Sequence, residues 1–189
     1  MSLKIIAGKF RGRNLETLPG FQTRPLLSRA KKSLFDILTP VLGGSVFLDL
    51  FAGFGSVGIE ALSRGAKKVV FVESDGNCIE VIEDNLIKFG MQDFAEIIQR
   101  DAAQPDLLEG KFDIIFIGPP YQMKMLAEII RKSEILLAKN GLIIGQHHKK
   151  EILVEKIGGL SLYRQEKYGD MRLSFYKTQI TQIKNGLRR

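Results

Sequence analysis

The residues best suited to chemistry in this 189-residue chain fall into two short runs. The first, Asp49-Leu50-Phe51-Ala52-Gly53-Phe54-Gly55-Ser56-Val57-Gly58, satisfies G-x-G-x-x-G where a strand pattern gives way to a helical one. Glycines there permit a tight turn and close approach of backbone to a ligand, and a helix N-terminus brings unpaired N–H groups to the same place. Glu73 stands twenty residues after Gly53, at the end of the next strand pattern, where a carboxylate can accept from both hydroxyls of a ribose. Taken alone, this fits NAD as well as S-adenosylmethionine.

Three further features favour the sulfonium cofactor. Asp49 is an acid at a strand end just before the glycines, placed to hold a water or an ammonium group. Asp101 follows the third strand pattern, where its carboxylate can accept from an adenine amine while Ala102 offers a backbone N–H. The second run, Gly118-Pro119-Pro120-Tyr121, ends the fourth strand pattern and has no role in hydride transfer. Its prolines fix φ and remove two donors, so the carbonyls of Gly118 and Pro119 can face a substrate, and Tyr121 can stack on a base. The candidate cofactor set is Asp49, Phe51, Gly53, Gly55, Gly58, Glu73, Asp101 and Ala102, and the candidate catalytic set Gly118, Pro119, Pro120 and Tyr121. Asp49 and Asp101 also have a plain reading as helix caps.

The elements needed to position these residues are legible in the apolar periods. Strands are expected at 45–50, 68–73, 95–99, 111–117 and 142–146, with helices over 56–64, 77–89 and 124–138, and a further short helix near 151–157. Residues 160–167 and 171–177 flank Tyr168-Gly169-Asp170 as a closing antiparallel hairpin. The fold class is α/β: a doubly wound, mostly parallel, seven-stranded sheet. Ahead of it, residues 3–7 and 14–18 read as a small basic hairpin and 28–38 as a helix, with a boundary near 40–44. The domains expected are a basic extension over 1–40 and a catalytic domain over 41–189. Phe35, Phe47, Phe71, Phe89, Phe112 and Phe116 fall on apolar periods and belong to the core.

Composition is that of a soluble globular domain, 44% hydrophobic and 26% charged, which excludes disorder, collagen and coiled coil. The net charge of +7 is concentrated: residues 1–34 carry eight bases and one acid, and the remainder sums to zero. That asymmetry points to a polyanion, with Lys9, Arg11, Arg13, Arg24, Arg29, Lys31 and Lys32 contacting phosphates and fixing register. Lys184, Arg188 and Arg189 form a short basic tail. The single cysteine, Cys78, cannot pair within the chain, and His147 and His148, adjacent on a strand, point to opposite faces, so no metal site is expected. No apolar run has the length of a membrane span, and a cytoplasmic monomer without membrane partners is expected.

The Pro-Pro-Tyr run resembles the N6-adenine and N2-guanine methyltransferases, whose motif is Asp or Asn followed by Pro-Pro-Tyr. More narrowly, the chain is similar over nearly its whole length to the bacterial 16S ribosomal RNA guanine-N2 methyltransferases of the RsmD type. The specific marks are Ile5-Ile6-Ala7-Gly8 with Arg11-Gly12-Arg13, Thr23-Arg24-Pro25 to Arg29 with Leu34-Phe35, and Glu60-Ala61-Leu62-Ser63-Arg64-Gly65-Ala66. The resemblance implies a Rossmann-like methyltransferase fold and methyl transfer from S-adenosylmethionine to the exocyclic N2 of one guanine in 16S rRNA, within a small-subunit particle. It also implies that the amine is held by the motif's Asp or Asn side chain together with a proline carbonyl, here that of Pro119.

The chain departs from that pattern at three places. Position 118 is Gly and supplies no side-chain acceptor, Gln146-His147-His148 stands where an acidic residue and His are usual, and Phe54 lies between glycines where a small residue is common. The Gly118 departure keeps an alternative open: an rRNA-binding protein of methyltransferase fold with weakened or lost catalysis. An NAD oxidoreductase rests on the glycine pattern and Glu73 alone.

Overall fold

A computed structural model describes residues 3–18 and 26–178. Arg24, the flanking Thr23 and Pro25, and the basic tail Lys184, Arg188 and Arg189 lie outside the described residues. The chain forms two compact units, residues 1–102 and 103–189.

The first unit is built on three parallel strands in the order β3-β2-β1: β1 (Val46–Leu50), β2 (Lys68–Glu73) and β3 (Ala95–Gln99). The register pairs Val46 with Lys68 and Val69 with Ala95, so the β1–β2 pairing ends at Leu50 and Val72 and leaves Glu73 one residue beyond it. Parallel neighbours require crossovers, supplied by α2 (Ser56–Ser63) and α3 (Gly76–Phe89). Helix α3 is capped by Asp75, whose side chain accepts the Asn77 amide, and stopped by Gly90 in the left-handed conformation, φ 62°. Helix α2 is buried on nearly every side, and with Phe47, Leu48, Val69 and Phe71 it belongs to the core.

Helix α1 spans Ser28–Leu42, beyond the expected end at residue 38, and continues through Pro40. Pro40 removes one amide from the last turn. The turn persists because Leu38 and Leu42 are both buried, and the Thr39 hydroxyl donates to the Phe35 carbonyl at 2.9 Å. The expected N-terminal hairpin is reduced to a single antiparallel bridge, Lys4 with Asn14, flanked by Ile5 N–H to Arg13 O (3.0 Å) and Leu15 N–H to Leu3 O (2.8 Å).

The second unit holds β4 (Phe112–Ile117), α4 (Leu126–Ser133), β5 (Leu137–His148), β6 (Lys156–Ile157), β7 (Leu160–Tyr168) and β8 (Met171–Thr178). Its strands lie in the order β4-β5-β8-β7-β6, with β4–β5 parallel and the other pairs antiparallel. Among the described residues the strands number eight rather than seven, and the extra one, β6, replaces the short helix expected near 151–157. That segment stays extended because its backbone is bound elsewhere: Tyr176 Oη donates to the Val154 carbonyl (2.7 Å) and the Leu162 amide to the Glu155 carbonyl (2.7 Å). The helix expected over 124–138 ends at Ser133 and tightens into a 3-10 turn, Glu134–Leu136. Asn140 (φ 67°) and Gly141 do not precede β5 but bulge within it, and the pairing with β4 shifts register there. All six core phenylalanines named from the sequence are buried.

Candidate functional site

In the first unit, the loop after β1 combines three left-handed residues: Phe51 (φ 62°), Gly53 (φ 54°) and Gly55 (φ 73°). A bulky side chain at positive φ is strained, so Phe51 is held in place by its surroundings. Two acidic side chains hold the loop. Glu73 Oε2 accepts the Gly53 amide at 2.8 Å, while its Oε1 accepts the amides of Ser74 (2.8 Å) and Asp75 (3.1 Å). Asp49 Oδ2 accepts the Gly58 amide at 2.8 Å, capping the first turn of α2 from the neighbouring strand, because Gly55 at the N-cap has no side chain to do so.

Asp49 is fully buried, and that desolvation raises its pKa from 3.8 to about 8. The Gly58 hydrogen bond opposes the shift and the charge of Glu73 adds to it. Gly58 sits so close to β2 that a Cβ would overlap the Phe71 ring, the helix–strand approach that the third glycine of such a motif allows. Phe54, the unexpected residue between the glycines, turns into the core beside Cys78 and Val81, with Leu3 and Leu18 packed against it. Burial pushes the Cys78 thiol up to about 11, which keeps it protonated and unreactive at neutral pH. Asp101 is exposed just after β3 and Ala102 is buried.

The N-terminal segment docks on α2 within the same unit. Glu60, with no exposed surface, accepts the amides of Ile6 (2.8 Å) and Ala7 (2.9 Å) and the Arg64 Nε (2.8 Å). The Ser63 hydroxyl accepts the Phe10 amide (3.1 Å) and donates to the Ala7 carbonyl (2.7 Å). Lys31 was expected on the phosphate-contacting face, and the structure corrects this. It is buried, its ammonium 3.5 Å from Glu60 Oε2 and 3.0 Å from the Lys4 carbonyl, and desolvation lowers its pKa. Lys9, Arg11, Arg13, Arg29 and Lys32 are exposed. The Arg13 guanidinium lies 5.4 Å from the Phe89 ring and the Lys9 ammonium 5.3 Å from that of Phe10, and the two rings are 5.5 Å apart.

In the second unit, β4 delivers Gly118-Pro119-Pro120-Tyr121 at its C-terminal end. The Pro120 carbonyl accepts the Met123 amide at 3.0 Å, turning the chain toward α4. Tyr121 meets His148 edge-on, ring centroids 5.6 Å apart and planes at 65°. The adjacent histidines have separate neighbours: His148 faces Tyr121, whereas His147 is buried with Nε2 2.9 Å from Ser174 Oγ and Nδ1 3.1 Å from the His148 carbonyl oxygen. Desolvation lowers the pKa of His147, which stays neutral near pH 7. Gln146, one residue earlier on β5, is 7% exposed. Its Oε1 lies 3.7 Å from the point a Cβ would occupy on Gly118. Sequence reasoning marked Gln146 as a departure but gave it no role, since nothing local indicates that its amide turns toward Gly118.

Residues 3–177 match the protein family described as Conserved hypothetical protein 95. The chain is 34% identical over 182 residues to YlbH of Bacillus subtilis, covering 93% of this chain and 98% of that one. It is 35% identical over 178 residues to the ribosomal RNA small subunit methyltransferase D of Haemophilus influenzae, covering 86% and 92%. The solved structure of yhhF from Escherichia coli superposes with a TM-score of 0.83 at 28% identity, covering 94% of this chain and 98% of that one. The fold is therefore the Rossmann-like methyltransferase fold, and the chain belongs to the family of the small-subunit ribosomal RNA methyltransferase D proteins.

Proposed function

We propose that this protein transfers a methyl group from S-adenosylmethionine to the exocyclic N2 of a guanine in 16S rRNA, acting as a cytoplasmic monomer on a small-subunit particle. The observation that carries this reading is family membership across residues 3–177 combined with a glycine loop pinned at both ends, Gly53 by Glu73 and Gly58 by Asp49. The donor set suits an adenosine-bearing ligand. Glu73 Oε2 takes one backbone amide and keeps a lone pair for a ribose hydroxyl, the exposed Asp101 offers a carboxylate to an exocyclic amine, and Phe51 adds a half-buried ring. When bound, S-adenosylmethionine supplies an electrophilic methyl on a sulfonium, whose carbon–sulfur bond breaks as the nitrogen–carbon bond forms.

Catalysis is then mostly positioning. The guanine N2 lone pair is delocalised into the ring, so acceptors on the protein must bind the amine and turn the lone pair toward the methyl, and the proton released after transfer passes to water. The Pro119 carbonyl is one such acceptor, and Tyr121, braced by His148, stacks on a base flipped from its helix. Lys9, Arg11, Arg13, Arg29 and Lys32 contact backbone phosphates and set register. The experiment is transfer of labelled methyl to unmodified small subunits, with the label mapped to its base. A second reading, rRNA binding with weakened or lost catalysis, is favoured by one observation, the absence of a side chain at Gly118. Cofactor binding without any transfer would establish it.

A further inference from the structure

We infer that Gln146 supplies the side-chain acceptor that Gly118 lacks, binding the reacting amine through its Oε1. This rests on the methyl-transfer reading above and assigns a substrate-contacting residue to the same site. Gln146 is more than nine-tenths buried on β5, and close packing holds its side chain beside the loop. Its Oε1 is directed at the Gly118-Pro119-Pro120 loop, 3.7 Å from where a side chain on Gly118 would begin.

The neighbourhood fits that role. A Cβ on Gly118 would come within 3.0 Å of Phe116 Cε1, so in this chain the space beside the loop is shared by Phe116 and the Gln146 amide. The next residue, His147, has both ring nitrogens engaged and cannot reach across. His148 Nδ1 accepts the Lys150 amide at 3.1 Å, and its ring braces Tyr121. An exocyclic amine presents two N–H donors, and the loop's own carbonyls and the Gln146 oxygen form an acceptor pair suited to it. A neutral amide oxygen on β5 thus does the work of a side chain on the loop itself.

The test measures single-turnover methyl transfer to unmodified small subunits by the parent, Gln146→Met, Gln146→Glu and the double variant Gly118→Asp/Gln146→Met. S-adenosylhomocysteine affinity and thermal unfolding are followed in each. Methionine keeps the volume and removes the acceptor. The expected result is a fall of about tenfold to a hundredfold in the transfer rate of Gln146→Met at unchanged cofactor affinity. Gln146→Glu and the double variant, which restore an acceptor oxygen, should recover a large part of it. An active parent whose Gln146→Met variant transfers at the parental rate overturns this inference alone. A parent that binds cofactor and transfers nothing overturns the methyl-transfer reading and this inference with it.

Discussion

The buried carboxylate of Glu60 accepts the backbone amide of Ala7 at 2.9 Å, tying the N-terminal segment to α2 across 53 residues of chain. Ser63 completes the clamp one turn later, and Gly8, at φ 84°, passes so close that a Cβ would overlap the Ser63 carbonyl. Two of the three stretches that carry the family resemblance, residues 5–8 and 60–66, are therefore one contact. The basic residues Lys9, Arg11 and Arg13 leave α2 directly from that clamp.

Glu60→Ala should destabilise the protein by about 3–5 kcal/mol, because it leaves the buried Lys31 ammonium and two backbone amides without their acceptor. Denaturant unfolding checks this. A change within about 0.5 kcal/mol would mean that the clamp contributes little.

Gly58→Ala places a methyl into the Phe71 ring and should cost about 1–3 kcal/mol. Because the same amide holds Asp49, the loop should shift as well, and S-adenosylhomocysteine affinity by calorimetry should fall along with stability.

Asp49 makes stability depend on pH in a particular direction. Its folded pKa of about 8 lies above the unfolded value of 3.8, so between those values the native state holds a proton that the unfolded chain has released. That contribution is complete below pH 4 and is lost progressively up to pH 8, at about 1.4 kcal/mol per unit. Asp49→Asn keeps an oxygen for the Gly58 amide and removes the titration. Relative to the parent, the variant should gain stability across pH 4 to 8, read from melts over that range.

The exposed bases divide from the buried one in an RNA-binding experiment. Neutralising Arg11 and Arg13 should weaken rRNA binding and lower the slope of log affinity against log salt by about 1 for each phosphate contact removed. Lys31→Met should leave that slope unchanged and act on stability instead, because its ammonium faces Glu60. An unchanged slope for the Arg11 and Arg13 variants would remove these residues from the interface.

The glycine loop was legible because strand period, glycine turn and helical period follow one another without a break, and the ends of β1 and β2 fix where Glu73 must fall. Lys31 was not, since a lysine between exposed bases carries no local mark of the buried Glu60 that captures it from a helix 29 residues further along the chain. Residues 151–157 misled for a related reason. The sequence EILVEKI suits a helical or an extended backbone equally, and the choice is made by Tyr176 and Leu162, which claim its carbonyls from β8 and β7. The helix expected over 28–38 runs on through Pro40 to Leu42 because Leu38 and Leu42 are both buried, which pattern alone does not show. Gln146 stood out by type alone, and the direction of its amide toward Gly118 is defined only by the packed strands.

The central claim is methyl transfer, and it is tested most directly by incubating the protein with labelled S-adenosylmethionine and small ribosomal subunits lacking the modification. The account predicts label on N2 of a single guanine of 16S rRNA. Cofactor binding with no label on the subunit, or label on another base, would contradict it.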